Sequence, residues 1–226
     1  MKPRAFVAWS TGKDSAFALH EVRCDGGLEI AGLLTTLTRD YGRVSMHGVR
    51  EEILDRQADA LGLPCRKVVI PAGCVDAEYE RAMGEAVRAA RADGVTHVVF
   101  GDIFLEDVRA YRERMLSGTG LTPVFPLWGR RTDALARKIV GAGVKARIVC
   151  VDPRRLPASC AGRPFDAALL SDLPGDIDPC GENGEFHTCV TGGPMFGAPI
   201  DVEAGETVVR DAFVFADLRL ADGPAA

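Results

Sequence analysis

Short apolar runs alternate along the chain with longer segments in which apolar positions recur at helical spacing. The runs are rich in Val, Ile, Leu and Phe, and we expect them to be buried strands at 5–9, 30–36, 67–70, 97–100 and 146–151. Repeated strand–helix alternation is typical of a parallel sheet covered on both faces. The pattern therefore predicts an α/β protein with a Rossmann-like parallel sheet of about five strands and helices on both faces.

The segments between the strands predict amphipathic helices over 49–61, 79–90 and 133–140. The first should end at Gly62-Leu63-Pro64 and the second at Asp93-Gly94, because glycine accepts the left-handed cap and proline cannot continue a helix.

The composition and the periodicity of the sequence change after residue 151. Pro and Gly are frequent between 152 and 205 and periodic runs are few, which predicts irregular loops laid over the sheet. Alternation over 207–220 predicts one or two terminal strands, and 221–226 should be a loose tail. We therefore expect an α/β domain over 1–151 and an irregular C-terminal extension over 152–226.

The composition narrows the class of protein. The chain has 226 residues and a formal net charge of -5, which argues against a protein that binds nucleic acid mainly by neutralising phosphate charge. Its seven cysteines are scattered and odd in number, unlike a secreted disulfide framework. No apolar run is long enough to span a membrane. We expect a soluble cytoplasmic protein, and the sequence leaves open whether it forms a homodimer.

A phosphate-binding loop is predicted where the first strand meets the first helix, at Ser10-Thr11-Gly12-Lys13-Asp14-Ser15. Backbone N–H groups at a helix start are unpaired and carry the positive end of the helix dipole, so they bind phosphate. Glycine allows close approach of the backbone, the lysine adds a positive charge, and the serine hydroxyls donate further hydrogen bonds. An ordinary capped helix with a surface lysine is the alternative.

Two familiar phosphate loops do not match this hexamer. The Walker motif needs glycine five positions before the Gly-Lys pair and Ser or Thr directly after it, where this chain has Val7 and Asp14. The dinucleotide fingerprint needs three spaced glycines, and Gly12 is alone in the turn.

The hexamer resembles the Ser-Gly-Gly-X-Asp-Ser loop of the PP-loop ATP pyrophosphatases, with Thr11 in place of the first glycine. A positive φ angle at this position would strain the threonine and weaken nucleotide binding.

Further segments resemble motifs of the diphthine–ammonia ligase family. They are Val98-Val99-Phe100-Gly101-Asp102-Ile103, Tyr111-Arg112-Glu113-Arg114, Phe125-Pro126-Leu127-Trp128 and, most specifically, Cys180-Gly181-Glu182-Asn183-Gly184-Glu185-Phe186-His187-Thr188.

The resemblance implies an adenine nucleotide α-hydrolase-like fold. It also implies a ligase that splits ATP into AMP and pyrophosphate, adenylates a carboxylate and amidates it with ammonia. The substrate in that family is diphthine on a translation elongation factor. The composition, rich in Ala, Arg, Gly and Val, suggests a high-GC genome. A bacterial source would be expected to lack the diphthamide modification, and a bacterial member could amidate a different carboxylate, small or protein-borne.

The chemistry assigns roles to the loop and to the strand ends. Lys13, the loop amides and a Mg²⁺ ion would stabilise charge on the departing pyrophosphate. Asp14 is the carboxylate best placed to reach Mg²⁺ through water, although it could serve only as a helix cap. Thr35, Thr36, Gly101 and Asp102 follow strand ends, where α/β sheets bind ligands, so we expect them to border ATP. High β-propensity is the alternative explanation of the two threonines.

The C-terminal motif concentrates Glu182, Glu185 and His187 in a glycine-flanked loop, and we assign them to the acyl-acceptor or ammonia site. A carboxylate there would orient ammonium or remove its proton. A polar surface turn is the alternative. Cys180, His187 and Cys189, with Cys160, suggest zinc, but their spacing is unlike structural zinc sites, so we predict no metal held by the protein alone.

Two other functions fit the same loop. A PP-loop enzyme that thiolates transfer RNA would use Cys180 and Cys189 as working thiols, although the acidic charge and the absence of a Cys-x-x-Cys pair count against it. A non-enzymatic adenine-nucleotide sensor would keep the loop and need no cluster at 182–187. Three arginines, Arg109, Arg112 and Arg114, face either an anionic ligand or solvent.

Overall fold

The computed structural model describes residues 1–221 and confirms the α/β class. The expected tail is described only at Ala221, and 222–226 lie outside the described residues. The strands are β1 (Arg4–Ala8), β2 (Glu29–Thr38), β3 (Arg43–Val44), β4 (Cys65–Ile70), β5 (Val95–Val99), β6 (Thr122–Val124), β7 (Lys145–Val151), β8 (Phe186–Gly192), β9 (Val202–Arg210) and β10 (Phe213–Leu220). The α-helices are α1 (Lys13–Asp25), α2 (Glu51–Leu61), α3 (Asp76–Ala92), α4 (Glu106–Leu116), α5 (Thr132–Gly141) and α6 (Ala167–Asp172).

The first sheet is mostly parallel. Strands β2 and β5 flank β1, β4 pairs with β2, and β6 pairs with β5, all in parallel. The short β3 runs antiparallel to the end of β2. Four of the predicted strands, at 5–9, 30–36, 67–70 and 97–100, are confirmed as β1, β2, β4 and β5. Their carboxyl ends meet at one edge of the sheet.

The prediction that 146–151 belongs to this parallel sheet is wrong. This run is β7, and it lies in a second, antiparallel sheet of order β8-β7-β10-β9. A buried central strand reads as a continuous apolar run in either kind of sheet, so the pattern cannot distinguish them. The strand that does extend the parallel sheet is β6, which has three residues including Pro123 and was not predicted. Proline is tolerated there because β6 lies at a sheet edge.

The C-terminal extension is more regular than the sequence suggests. It contains helix α6 and strands β8, β9 and β10, and the last two confirm the terminal strands predicted over 207–220. The expected irregular loops are found mainly before β8. Frequent Pro and Gly concealed β8, which is a short strand of seven residues.

The helices were predicted more reliably than the strands. Helices α2, α3 and α5 confirm the three predicted segments, and Gly62 closes α2 in the left-handed conformation with φ of 66°. Helix α3 ends at Ala92, directly before the Asp93-Gly94 pair.

Helices cover both faces of the first sheet. Side chains from α3 and α4 pack on one face, while α1, α2 and α5 share the core on the other face with the second sheet. This shared core places the second sheet in contact with the start of α1. The N–H of Val190 on β8 donates to the carbonyl of Thr11 at 2.9 Å, and the N–H of Lys13 donates to Thr188 Oγ1 at 3.1 Å. The packing therefore places the C-terminal motif beside the predicted phosphate loop.

Candidate active site

A cleft of about 990 Å³ opens at the carboxyl ends of β1, β2 and β5. Parallel α/β sheets bind their ligands at this edge. Most of the predicted site residues line it: Ser10, Lys13, Asp14, Ser15, Thr35, Thr36, Gly101, Asp102, Glu182 and His187. Thr11, Gly12 and Glu185 do not belong to the lining. The structure therefore brings the N-terminal loop and the C-terminal motif to one place.

The loop between β1 and α1 has the predicted strand–loop–helix geometry. Gly12 caps α1 and Lys13 is the first residue of that helix. The hydroxyl oxygens of Ser10 and Ser15 lie 3.2 Å apart. The positive end of the α1 dipole consequently lies at the wall of the cleft, where it favours an anionic group.

Thr11 adopts the left-handed backbone conformation, with φ of 69°. The strain expected if threonine replaces glycine at such a position is therefore present. Its carbonyl oxygen accepts hydrogen bonds from Val190 N at 2.9 Å and from Gln57 Nε2 at 3.2 Å. Gln57 is fully buried and also accepts the indole N–H of Trp9 at 2.8 Å. These contacts hold the loop in its strained conformation.

The reason for glycine at position 12 is steric, because there is no room for a Cβ atom. Its φ of -91° is an angle that any residue can adopt. A Cβ atom at this position would lie 2.8 Å from His47 Cε1 and 3.2 Å from the carbonyl oxygen of Thr188. Three segments distant in the sequence meet at this glycine.

The Lys13 side chain is buried and is turned toward the C-terminal motif. Its Nζ donates to Asp14 Oδ2 at 2.9 Å and to the carbonyl of Cys180. It also lies 5.2 and 5.4 Å from the ring centres of Phe165 and Phe186. Burial lowers the pKa of Lys13, but the charge of Asp14 and the hydrogen bond to it outweigh this effect and hold the pKa above its usual value. Lys13 therefore remains a cation that joins the loop to the motif.

Two carboxylates at the cleft have an oxygen without a partner. Asp14 Oδ1 and Asp102 Oδ2 are buried and accept no hydrogen bond within the described residues. Arg112 Nε likewise makes no hydrogen bond within the described residues, although it forms an ion pair with Asp102 Oδ2 at 3.7 Å. Burial raises the pKa of Asp102, and the positive charge of Arg112, which lowers it, offsets this effect only in part. Buried polar atoms such as those of Asp14, Asp102 and Arg112 are usually satisfied by a ligand or water.

The loop after β5 packs directly on the start of α1, since a Cβ at Gly101 would lie 2.9 Å from the backbone of Asp14.

Glu182 projects from the C-terminal motif into the cleft. Its Oε1 accepts the backbone N–H of Ile103 at 2.7 Å. Burial raises the pKa of Glu182 to about 7, opposed by this hydrogen bond and reinforced by the charges of Asp14 and Asp102. The carboxylate is therefore poised to exchange a proton near neutral pH.

Glu185 supports the motif and does not face the cleft. It is fully buried, and its Oε1 accepts Asp178 N at 3.1 Å and Asn183 Nδ2 at 3.2 Å. Its Oε2 is buried without a partner in the described part of the chain.

His187 stacks against His47 with a centroid distance of 4.7 Å. Burial lowers the pKa of His187 to about 3 and that of His47 to about 4. His47 Nδ1 lies 3.1 Å from the carbonyl oxygen of Thr188. Because a carbonyl only accepts, this nitrogen carries the proton and Nε2 is left as an acceptor. The pair is neutral at physiological pH.

The two threonines of β2 lie at the cleft but are engaged in the fold. Thr35 Oγ1 donates to the carbonyl of Trp9 at 2.9 Å, and the carbonyl of Thr36 accepts the N–H of Ser45 at 3.0 Å. They join β2 to its neighbours at the edge where the cleft opens.

Comparison with known proteins identifies the chain. Residues 3–123 match the family model described as the diphthamide synthase N-terminal domain, and residues 131–220 match that of the diphthamide synthase C-terminal domain. The chain belongs to the diphthamide synthase family.

Relatives in this family cover most of the chain at low identity. The diphthine–ammonia ligase of Danio rerio is 27% identical over an alignment of 233 positions, which covers 92% of this chain and 89% of that protein. The protein of the same name from Homo sapiens is 26% identical over an alignment of 184 positions, which covers 74% of this chain and 68% of that protein. The one from Rattus norvegicus is 24% identical, over 92% of this chain and 85% of that protein. The resemblance drawn from the motifs is confirmed at the level of the family.

The sequence did not predict a role in the cleft of this diphthamide synthase family member for Gln57 or His47, and it left the role of Arg112 open. Arg112 faces the cleft, whereas Arg109 stacks on Phe125 and Trp128 at 4.9 and 4.7 Å. Gln57 had a detectable signal, because it is a polar residue on the apolar stripe of α2. His47 had none, since no motif surrounds it.

The cysteines of this family member are free thiols, and the described residues contain no group of three or more His, Cys, Asp or Glu side chains arranged to hold a metal ion. Burial raises the pKa of Cys180 and of Cys189 to about 12. Neither is a reactive thiolate at neutral pH. Across residues 1–221 no helix combines the length and apolar character that crossing a membrane requires.

Proposed function

We propose that this protein is an ATP-dependent carbon–nitrogen ligase, which adenylates a carboxylate and transfers the acyl group to ammonia. The observation that carries the proposal is the meeting of the phosphate loop with two buried carboxylate oxygens that accept no hydrogen bond within the described residues, Asp14 Oδ1 and Asp102 Oδ2, in one cleft. Membership of the diphthamide synthase family supports the same reaction, because the named relatives are diphthine–ammonia ligases.

The reaction has two steps. A substrate carboxylate oxygen attacks the α-phosphorus of ATP, and the bond to the bridging oxygen breaks to release pyrophosphate. Ammonia then attacks the acyl carbon, the acyl C–O bond breaks so that AMP leaves with the former carboxylate oxygen, and one proton is lost to a base. The products are an amide, AMP and pyrophosphate.

Residues of the phosphate loop serve the first step. The N-terminal end of α1 and the hydroxyls of Ser10 and Ser15 lie where the phosphates of ATP would bind. Lys13 lines the cleft and adds positive potential there, with its Nζ held by Asp14 and by the carbonyl of Cys180. These groups favour the transition state because negative charge grows on the departing pyrophosphate. Thr35, Thr36 and Gly101 border the nucleotide.

The cleft also fits a Mg²⁺ ion. Asp14 and Asp102 each offer a buried, hard oxygen donor that accepts no hydrogen bond within the described residues, and Mg²⁺ prefers one or two carboxylates together with substrate phosphates. When bound, the ion neutralises phosphate charge. Asp102 also pairs with Arg112, so the two residues set the charge at this wall of the cleft.

The C-terminal motif serves the second step. Glu182 has a pKa of about 7 and lies at the cleft, so its ionised form can take the proton of ammonium. His187 is neutral and lines the same wall. Glu185 acts from beneath the motif by holding Asp178 and Asn183 in place. The C-terminal extension, which the structure describes over 152–221, thus completes the substrate site of the ATP-binding part.

The test combines the purified protein with ATP, MgCl₂, ammonium chloride and a translation elongation factor that carries diphthine. We expect AMP and pyrophosphate in equal amounts, and a change in the mass of the factor from acid to amide. The unmodified factor is the control for substrate. If the factor is inert, a panel of carboxylic acids is screened by pyrophosphate release. Formation of ADP, or no AMP with the factor or any acid, contradicts the proposal.

A pair of variants tests the site itself. Asp102→Asn removes a cleft carboxylate, and Asp107→Asn removes an exposed one from the first turn of α4. We expect only Asp102→Asn to abolish AMP formation while the protein stays folded.

The other two functions lack support from the site. Thiolation of transfer RNA needs accessible thiols, whereas Cys180 and Cys189 are buried. A nucleotide sensor has no use for a carboxyl group with a pKa near 7 facing the phosphate loop.

A further inference from the structure

The loop that carries His47 is held by contacts outside itself. It follows β3, and Met46 and Gly48 both adopt left-handed backbone angles, with φ of 67° and 69°. Left-handed methionine is strained and persists only when surrounding structure enforces it. Its position matters to the cleft, because the His47 ring touches the face of Gly12 and stacks on His187.

The contacts that hold this loop come from β10 in the second sheet. A Cβ at Gly48 would lie 2.9 Å from Phe215 Cδ1, so the loop backbone packs directly on that ring. Two residues further along, Asp217 accepts hydrogen bonds from Arg43 at 2.8 Å and from Arg50 at 2.7 Å. The same Arg43 nitrogen donates to the carbonyl of Gly48 at 2.7 Å.

These bonds close the His47 loop at both ends. Arg43 precedes the loop, Arg50 follows it, and they face each other across a β-bridge. The Asp217 carboxylate lies between the two guanidinium groups, is only 10% exposed, and also lies 3.6 Å from Arg219 Nε. Without this charge, neighbouring cations would repel each other at the base of the loop.

We propose that Asp217 is a positioning residue for the active site, which fixes the His47 loop against the phosphate loop by clamping Arg43 and Arg50. The second sheet then contributes to the cleft twice, through the side chain of His187 on β8 and through the clamp on β10. This inference rests on the proposed function, in that the cleft is taken as the catalytic site.

The test uses NMR titration of the ring protons of His47 in the free protein, so it needs no substrate. In Asp217→Asn the hydrogen bonds weaken and the charge is lost, while size is kept. We expect the pKa of His47 to rise by about one or more from its low value of about 4 toward the ordinary 6.5, and cross-peaks between His47 and His187 to disappear. The control is Asp172→Asn, which removes a surface partner of Arg163 and should change neither signal.

An unchanged His47 titration in folded Asp217→Asn overturns the proposal. If that variant does not fold, Arg43→Gln decides, because it removes the bond to Gly48 and leaves the Arg50–Asp217 pair. We expect a smaller rise in the pKa of His47, and no rise refutes the clamp.

Steady-state kinetics of the Asp217→Asn variant provide a second test of the clamp. Asp217→Asn should lower kcat more than it raises the KM for ATP, because the phosphate loop itself is intact. Failure to form AMP in the wild-type protein would overturn the proposed function and leave the NMR result standing, so the two failures are distinct.

Discussion

Glu182 accepts the backbone N–H of Ile103 at 2.7 Å, and this bond joins the C-terminal motif to the loop after β5. The same carboxylate oxygen lies 3.4 Å from the N–H of Phe104. The N–H of Glu182 itself donates to Asp178 Oδ2 at 2.8 Å. Glu182 is thus fixed through its side chain on one side and its backbone on the other, which explains how a residue far along the chain becomes part of the cleft.

The first prediction concerns the pH dependence of turnover. Because the pKa of Glu182 is raised to about 7, the group is neutral below that pH and ionised above it. If the ionised form accepts a proton from ammonium, kcat should rise as pH increases through about 7. Glu182→Gln should abolish this rise in kcat with pH, whereas Glu206→Gln, which changes an exposed residue on β9, should keep it. A rising limb that survives in Glu182→Gln would assign the titration to another group.

The sequence predicts a feature best when the feature is local. The phosphate loop could be located because its strand, turn and helix are contiguous, and even the strain at Thr11 follows from one substitution in a six-residue motif. The amphipathic helices are equally local, since their spacing and glycine caps lie within a few residues.

Features that depend on tertiary packing could not be predicted in the same way. Glu182 and Glu185 are both charged residues of one short loop, yet the first faces the cleft and the second is buried, because the chain turns at Gly184 with φ of 86°. His47 acquires its role from Gly12 and His187, which only the packing of the second sheet brings together.

The second prediction concerns Thr11, whose φ of 69° is strained. Thr11→Gly should raise the free energy of unfolding by about 1 kcal/mol, because glycine accepts this angle without cost. Thr11→Ala retains a Cβ atom and loses the same hydroxyl, so it is the matched control and should be less stable than Thr11→Gly. Denaturant unfolding of the two variants measures the difference. Equal stabilities would mean that the loop relaxes around the side chain.

The third prediction concerns Gly12, where a Cβ would lie 2.8 Å from His47 Cε1. Gly12→Ala should push the His47 loop away and destabilise the protein by about 1–3 kcal/mol, the usual cost of overpacking. ATP affinity, measured by calorimetry, should fall as well. Gly175→Ala is the control, because nothing lies within 4 Å of its Cβ position. Retention of wild-type affinity in Gly12→Ala would separate this glycine from the nucleotide site.

The fourth prediction concerns acid stability and the histidine pair. Burial lowers the pKa of His187 to about 3 and of His47 to about 4, below the ordinary 6.5 of the unfolded chain. Between these values the unfolded state binds more protons than the folded state, so stability is lost as pH falls from about 6.5 toward 4. His187→Asn removes one of these groups, so the fall in Tm over this range should be shallower than in the wild type.

His20→Asn is the control for this measurement, because His20 lies on α1 outside the lining of the cleft. Its fall in Tm with acidification should match that of the wild type. Equal slopes for His187→Asn and the wild type would show that His187 already titrates in the folded protein, and the cleft would then carry a positive charge below neutral pH. The slope therefore decides whether His187 serves the acceptor site as a neutral group.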